Sequence, residues 1–410
     1  MTDQLHEART SSAQPESPVP AGAAPRLWRH EWTTASATPV GFALLLFVVF
    51  GIWLGGKFLN TGDRMFDVFQ TVPSLLLSLG VLVALSCGQF DLSVAAMATL
   101  SAFLTTGLTV HQELPLWVAL VITAAVGLTG GLFNGILVVG VRINAFLATL
   151  GTGGVFTGIS ILYSSGQTIS LGSSASATKS AHWFSGTNSF GDFGERVPIV
   201  VAWILIVALL ACLVSSLRYT FADARRTRLR DGVTLAVAVV IAVLLQVAGV
   251  PRQIGWQIML LLVAAIVVWV VMRQTTLGRN IMATGGNPVA ARLAGIKTDR
   301  LIVLAFLVSG LFASMGGMVL AADTGAASPG IADRLLLPAY AAAFLSTVIF
   351  SNGRFHTWGT IAGGLAVISI SQGMVIGGVP FTWTDLINGA VLIIAVSLST
   401  TLRRSIMTGR

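Results

Sequence analysis

Charge is scarce in this sequence. Only 10% of its 410 residues are Asp, Glu, Lys or Arg, against 54% hydrophobic residues. A large soluble core would need far more polar surface than that, so a soluble globular protein is excluded. Cysteine is scarcer still, with two in the chain, Cys87 and Cys212, both inside apolar runs. Neither a disulfide framework nor a cysteine metal site can be built from them, and both read as small core residues. The five histidines, His6, His30, His111, His182 and His356, are scattered, and neither His-Glu-x-x-His nor Gly-x-Ser-x-Gly occurs. Zinc hydrolase and serine nucleophile chemistry therefore lack their residues. Gly51-Ile52-Trp53-Leu54-Gly55-Gly56-Lys57-Phe58 carries the glycines and lysine of a phosphate loop but not its final Ser or Thr, and it closes an apolar segment instead of following a strand. No metal or cofactor is expected. If ATP drives this protein, another chain must bind and hydrolyse it.

What the chain has in abundance is long apolar runs, with a mean hydropathy of +0.84. Twelve segments are expected, at about 39–56, 68–87, 92–110, 115–141, 145–165, 198–217, 232–249, 256–272, 301–322, 335–350, 358–378 and 384–400. The fold class is all-α, a polytopic transmembrane bundle of about 10–12 membrane segments. The third and tenth are short and flanked by polar breaks, which predicts broken helices. Segment 115–141 is long enough to tilt or to kink at Gly130-Gly131. Residues 1–38 are polar and rich in Ala, Ser and Pro, and read as a disordered cytosolic tail. Residues 39–400 form the membrane domain, and 401–410 a second tail.

The net charge of +8 does not point to nucleic acid. With the N-terminus in the cytosol and sides alternating, 18 of the 24 Lys and Arg residues fall on cytosolic stretches. Lys57, Arg64, Lys179, Arg196, Arg252 and Arg334 take the other face. That bias places both termini inside. The cluster Arg225, Arg226, Arg228 and Arg230 suits topology and anionic lipid, or a cytosolic partner. The outer loop 166–197 is rich in Ser and Gly with Trp183, Phe184, Phe190 and Phe193 interspersed. It suits interfacial anchoring, or a gate or docking surface for an extracytoplasmic protein.

The cytosolic loop 273–300 holds a short helix with both ends written into it. Asn287 is an N-cap, Pro288 suits the first helical position, and Gly295 supplies a left-handed stop. Val289, Ala290, Ala291, Arg292 and Leu293 lie between. Val289 and Leu293 share one face, and Arg292 beside them could meet an acidic rim. A rigid peg for a soluble partner is the natural reading.

Gly88-Gln89-Phe90-Asp91-Leu92-Ser93 interrupts one apolar stretch and Gly353-Arg354-Phe355-His356-Thr357-Trp358 another, a hint of an internal repeat with broken helices near a substrate path. Asp91 is the carboxylate that falls within the membrane. An ionised, unpaired carboxylate there costs at least ~2.5 kcal/mol. Capping the half-helix that follows would resolve this, through the N–H of Ser93 or Val94. Lining the path is the other reading. Without an obvious intramembrane partner, Asp91 is a weak basis for a proton relay.

The stretch Gly278 to Ile296 resembles the coupling-helix region of the membrane subunits of ribose- and xylose-type ABC sugar importers. Cys87-Gly88-Gln89-Phe90-Asp91-Leu92-Ser93-Val94 resembles that family's Gly-Gly-Ile-Asp-Leu-Ser-Val-Gly motif. Asn144-Ala145-Phe146-Leu147-Ala148-Thr149-Leu150-Gly151 resembles its Pro-Phe-Ile-x-Thr-Leu-Gly segment. The likeness covers roughly residues 68 to 400. Gln89, Ala95 and Asn144 depart from it, and only Leu345-Ser346-Thr347-Val348-Ile349-Phe350 stands for its Gly-Gly-Thr-Ser-Leu motif.

The resemblance implies a bacterial cytoplasmic membrane protein working as a pair of subunits, most simply a homodimer. It implies a cytosolic ABC ATPase that binds the coupling helices and an extracytoplasmic binding protein that delivers substrate. It also implies a helix break and path built around Gly88, Asp91, Ser93, Asn144 and Thr149, and a small neutral cargo, a monosaccharide first. Nucleoside or branched-chain amino acid cargo on the same scaffold is the near alternative. An ion-coupled secondary transporter is the distant one, and would call for several intramembrane ionisable groups.

Overall fold

The computed structural model of the chain describes residues 48–59, 61–173, 256–349 and 354–408. The expected segments 198–217 and 232–249, residues 39–47 of the first segment, the tail 1–38, the Arg225–Arg230 cluster and residues 174–197 of the outer loop lie outside these residues.

A short turn at Gly56–Leu59 leads into α1 (Thr61–Ser86), followed by α2 (Val94–Val110), α3 (Leu116–Val139) and α4 (Ala145–Ser164). After the gap come α5 (Trp256–Gln274), α6 (Thr276–Gly286), α7 (Pro288–Leu293) and α8 (Thr298–Thr324). The chain closes with α9 (Leu336–Ile349), α10 (Thr357–Ile376) and α11 (Thr384–Thr408). Among the described residues, seven helices are long and apolar enough to cross a membrane, those of α1, α3, α4, α5, α8, α10 and α11. The short segments expected around 92–110 and 335–350 are α2 and α9, of 17 and 14 residues. α2 follows a non-helical stretch at 87–93, where an interruption was expected, and residues 354–356 ahead of α10 are non-helical as well.

The bundle is organised around α1 and α8. The apolar window of α1 is 83% buried, whereas that of α11 is 11% buried, which separates the centre from the rim. Glycine brings the central helices close. A Cβ on Gly131 of α3 would collide with the Phe306 carbonyl of α8, and one on Gly317 of α8 with the Ala98 carbonyl of α2. Such backbone-to-backbone packing is how helices gain contact in lipid, where no hydrophobic force drives them together. The glycine pair at 130–131 does not break α3, which runs as one helix.

At one end of the bundle, Ile169 pairs with Ala327 and Ser170 with Ala326 in a two-residue antiparallel ladder. It ties the exit of α4 to the exit of α8. The opposite end carries the α1–α2 break, the start of α4, and α6 with α7. The membrane boundary of α1 was expected near residue 68, but the helix begins at Thr61. Its first two turns are polar, so a hydropathy reading cannot see them. α6 is a larger omission. Its residues were expected to be loop, and they form an 11-residue helix capped by the Thr275 hydroxyl, which accepts the Gly278 N–H at 3.3 Å.

Candidate functional site at the helix break and the capped loop

α7 has the ends its sequence dictates. Asn287 Oδ1 accepts the N–H groups of Val289 and Ala290 at 3.1 and 3.0 Å. Pro288 occupies the first helical position. Gly295 is left-handed, with φ +80°, and the Gly295 and Ile296 N–H groups return to the carbonyls of Arg292 and Ala291. That pair of bonds is a Schellman stop. Ala291 is buried against the body, while Val289 and Leu293 stand 67% and 86% exposed on the outer side. Two large apolar side chains are thus displayed on a short capped helix, uncovered among the described residues. Arg292 is otherwise engaged. Its Nε donates to Thr298 Oγ1 and its Nη2 to Asp299 Oδ1, both at 2.7 Å. The guanidinium braces the loop onto α8, so any acidic partner would have to share it with Asp299.

The break between α1 and α2 holds a hydrogen-bonded network around Asp91. Asp91 is buried, and its Oδ1 accepts the Ser93 N–H at 3.1 Å and the Ser93 hydroxyl at 2.6 Å. The carboxylate thus accepts the Ser93 N–H at the entry to α2, as expected, in a turn that begins three residues before the first helical one, Val94. The Asp91 main chain exchanges two bonds with Tyr340 of α9: its N–H donates to the phenol oxygen at 3.0 Å and its carbonyl accepts the phenol proton at 2.9 Å. Ser93 Oγ accepts from Asn134 Nδ2 of α3 at 2.8 Å, and Asn134 Oδ1 accepts the Thr152 hydroxyl of α4 at 2.6 Å. Thr149 Oγ1 accepts the Leu92 N–H at 3.1 Å. Asp91, Ser93 and Thr149 are therefore one cluster, while Gly88, just before it in the chain, packs against Gly285. Asn144 stands a turn away as the cap of α4, accepting the Phe146 N–H at 2.9 Å. Tyr340, Asn134 and Thr152 were not singled out in the sequence. Asn134 left a signal, a lone amide inside an apolar helix. Tyr340, 249 residues from Asp91, left none.

Because Asp91 acts as an acceptor, Asp91→Asn keeps the oxygen and Asp91→Leu removes it. The leucine variant strands the Ser93 N–H and hydroxyl, at ~1–3 kcal/mol for each buried unsatisfied group. Thermal denaturation of the purified variants should rank wild type first, the asparagine variant close behind and the leucine variant well below. Equal loss in both would show that the charge, not the acceptor, matters.

The second interruption puts matching positions to matching uses. Phe90 and Phe355 both pack on Phe344, with ring centroids 6.5 and 5.8 Å apart. As Asp91 serves α2, His356 caps α10, its Nδ1 accepting the Gly359 N–H at 3.4 Å. Burial pushes the His356 pKa down from 6.5 to about 4, and the Arg273 charge adds to this. The imidazole stays neutral in the fold while the unfolded chain takes up a proton below pH 6.5. Its contribution to stability is full above that value and is lost as pH falls toward 4. Melting temperature should drop on acidification from pH 7 to 4.5, and His356→Asn, which keeps a capping oxygen, should flatten that part of the curve. An unchanged slope would contradict the assignment.

The break and the capped loop touch. Gly88 has φ +78°, and Gly285, in the last turn of α6, lies with its Cα 3.2 Å from where a Gly88 Cβ would stand. From the other side, a Cβ on Gly285 would meet the Gly88 nitrogen at 2.8 Å. The interruption in α1–α2 and the helix that runs directly into α7 are thus packed backbone on backbone.

Residues 65–396 match the family model described as the branched-chain amino acid transport system / permease component. The chain is 25% identical to the xylose transport system permease protein XylH of Haemophilus influenzae over 366 residues, covering 87% of this chain and 93% of that one. It is 28% identical to XylH of Escherichia coli K12, covering 88% and 91%. It is 25% identical to the fructose import permease protein FrcC of Rhizobium meliloti, covering 91% and 87%. No solved structure matches it.

Proposed function

Since the chain belongs to the branched-chain amino acid transport system / permease component family, we propose that it is the transmembrane subunit of an ATP-driven ABC importer whose cargo is a monosaccharide of the ribose or xylose kind. The observation that carries the mechanism is the Gly88–Gly285 contact. It joins a rigid, partner-facing peg to a helix break inside the bundle. The reading has two α7 pegs, one per subunit, seated in two cytosolic ATPase chains. Closure of the ATPases on ATP would move α7 and α6 together, and through Gly285 the start of α2. A binding protein on the opposite face would supply and select the substrate.

The cargo assignment draws on the names of the relatives, which transport xylose and fructose. The chemistry of the bundle supports it. The Asp91 carboxylate is consumed by Ser93, which leaves it poorly placed to counter a charged substrate or to relay an ion. ATP would be held by the partner, with no cofactor on this chain. The exposed apolar faces of α3, α4 and α11, such as Leu150, Leu162 and Ile393, would meet lipid and a second copy of the subunit. The placement follows as the bacterial cytoplasmic membrane with both termini inside. The test is uptake of labelled xylose, ribose and fructose into proteoliposomes carrying this chain with its ATPase and binding protein. ATP-dependent accumulation of a sugar is expected. Accumulation of leucine or a nucleoside instead would move the cargo to another class, and uptake driven by an ion gradient without ATP would overturn the reading.

A further inference from the structure

With 14 residues, α9 is too short to cross a membrane, yet it touches both helix interruptions. Its tie to each is a hydroxyl bonded to main chain. The Tyr340 phenol meets the N–H and the carbonyl of Asp91 at 3.0 and 2.9 Å. Six residues on, Ser346 Oγ accepts the His356 N–H at 3.3 Å while donating to the Ala343 carbonyl at 2.6 Å. Asp91 and His356 are the residues whose side chains accept main-chain N–H groups at the entries to α2 and α10. One helix thus holds, at both breaks, the main chain of the residue that stabilises the next helix entry. Both residues of α9 are buried, Ser346 fully and Tyr340 to 5% exposure, so water does not compete for these bonds.

The surroundings of the two ties differ. α9 and α10 are packed backbone on backbone, since a Cβ on Gly363 of α10 would stand 2.7 Å from the Ala342 carbonyl of α9. Such packing resists sliding, because no flexible side chain lies between to absorb it. Toward the first break, α9 presents rings. Tyr340 lies on Phe90 with centroids 6.3 Å apart and planes within 6°, and Phe344, one turn later, packs on Phe90 and Phe355. Stacked rings slide with little loss, because dispersion has no direction, whereas hydrogen bonds do. The two bonds of the phenol therefore set the register of α9 against the first break.

We propose that α9 is a brace that makes the entries of α2 and α10 move together during transport, with Tyr340 and Ser346 as its positioning residues. The proposal rests on the importer reading above. Displacement of the first break would pass through Asp91 and Tyr340 to α9, and Ser346 would carry it to the entry of α10. Cutting either tie leaves the Asp91 and His356 side chains at their posts but lets one break move without the other. ATP would then be hydrolysed without a matching movement of sugar.

The experiment reconstitutes the full chain with its ATPase and binding protein in proteoliposomes and measures sugar moved per ATP hydrolysed. Tyr340→Phe keeps the ring on Phe90 and removes only the phenol oxygen, and Ser346→Ala removes the acceptor of the His356 N–H. Each should lower the ratio about fivefold or more. The double variant should be no worse than the lower single, since two ties in series fail together. Thr106→Val is the control for a lost buried hydroxyl. Thr106 Oγ1 donates to the Ala102 and Phe103 carbonyls of its own helix, so this variant should keep the wild-type ratio. Should Tyr340→Phe fail to fold, Ser346→Ala carries the test. Either single variant matching Thr106→Val, or a double variant whose loss is the product of the two, overturns the brace alone. A wild-type chain that moves no sugar with ATP overturns the importer reading and the brace with it.

Discussion

Replacing Val289 and Leu293 together with glutamate is expected to leave the chain folded in the membrane and to abolish its complex with the ATPase. Both side chains are largely exposed, so their exchange costs the fold little. Neither touches the bonds that make α7, which run through Asn287, Gly295 and the backbone. In the proposed complex the same two residues would be the apolar centre of the contact. Truncating such an anchor typically costs ~2 kcal/mol or more, and burying a carboxylate in its place adds to that. A loss of at least ~100-fold in affinity follows. Copurification of the ATPase with wild-type and variant chains reads it out, with melting temperature as the control for folding. Normal recovery of the ATPase with the double variant would show that α7 is not its docking element.

Gly285→Val should separate binding from transport. The new side chain would push against the Gly88 nitrogen and the Cys87 carbonyl carbon, both within 2.9 Å of where a Cβ would stand. These are backbone atoms that cannot swing aside. Relief requires α6 to move away from the helix break, at an overpacking cost of ~1–3 kcal/mol. α7 itself is untouched, so the ATPase should still bind and hydrolyse ATP. Sugar uptake should fall at least ~10-fold, and ATP hydrolysis should no longer respond to loaded binding protein. The next residue supplies the control. A Cβ on Gly286 meets nothing within 4 Å, so Gly286→Ala should transport near the wild-type rate. Equal behaviour of the two variants would mean that the Gly88–Gly285 contact carries no signal.

The residues that were legible in the sequence share a property: their partners are near in the chain. Asn287 bonds to residues two and three positions on, Asp91 to Ser93, and Gly295 closes on Arg292. Short-range capping has a residue code, so α7 and the α2 entry could be written down from sequence. Apolar length alone fixed the spanning helices. What failed was the polar start of α1 and the whole of α6, which hydropathy cannot see because neither is continuously apolar. The Arg292–Asp299 pair was also missed, because two charges seven apart across a turn have no periodic signature. The link between the two halves of the site was invisible for another reason. Gly88 and Gly285, or Asp91 and Tyr340, meet only after the helices pack, and a glycine that permits a close approach looks like any other glycine in a chain that has 44. The sequence therefore showed a peg and a break, and the packing joined them.

The account stands on α7 as the element that receives force from the ATPase, and site-specific photocrosslinking tests this most directly. A benzophenone side chain placed at Leu293, in actively transporting membrane vesicles, should yield one major adduct with the ATPase chain. The same group at Val121, exposed on α3, should yield none. Adducts at neither position in vesicles that still transport, or an ATPase adduct at Val121 and not at Leu293, would contradict the account.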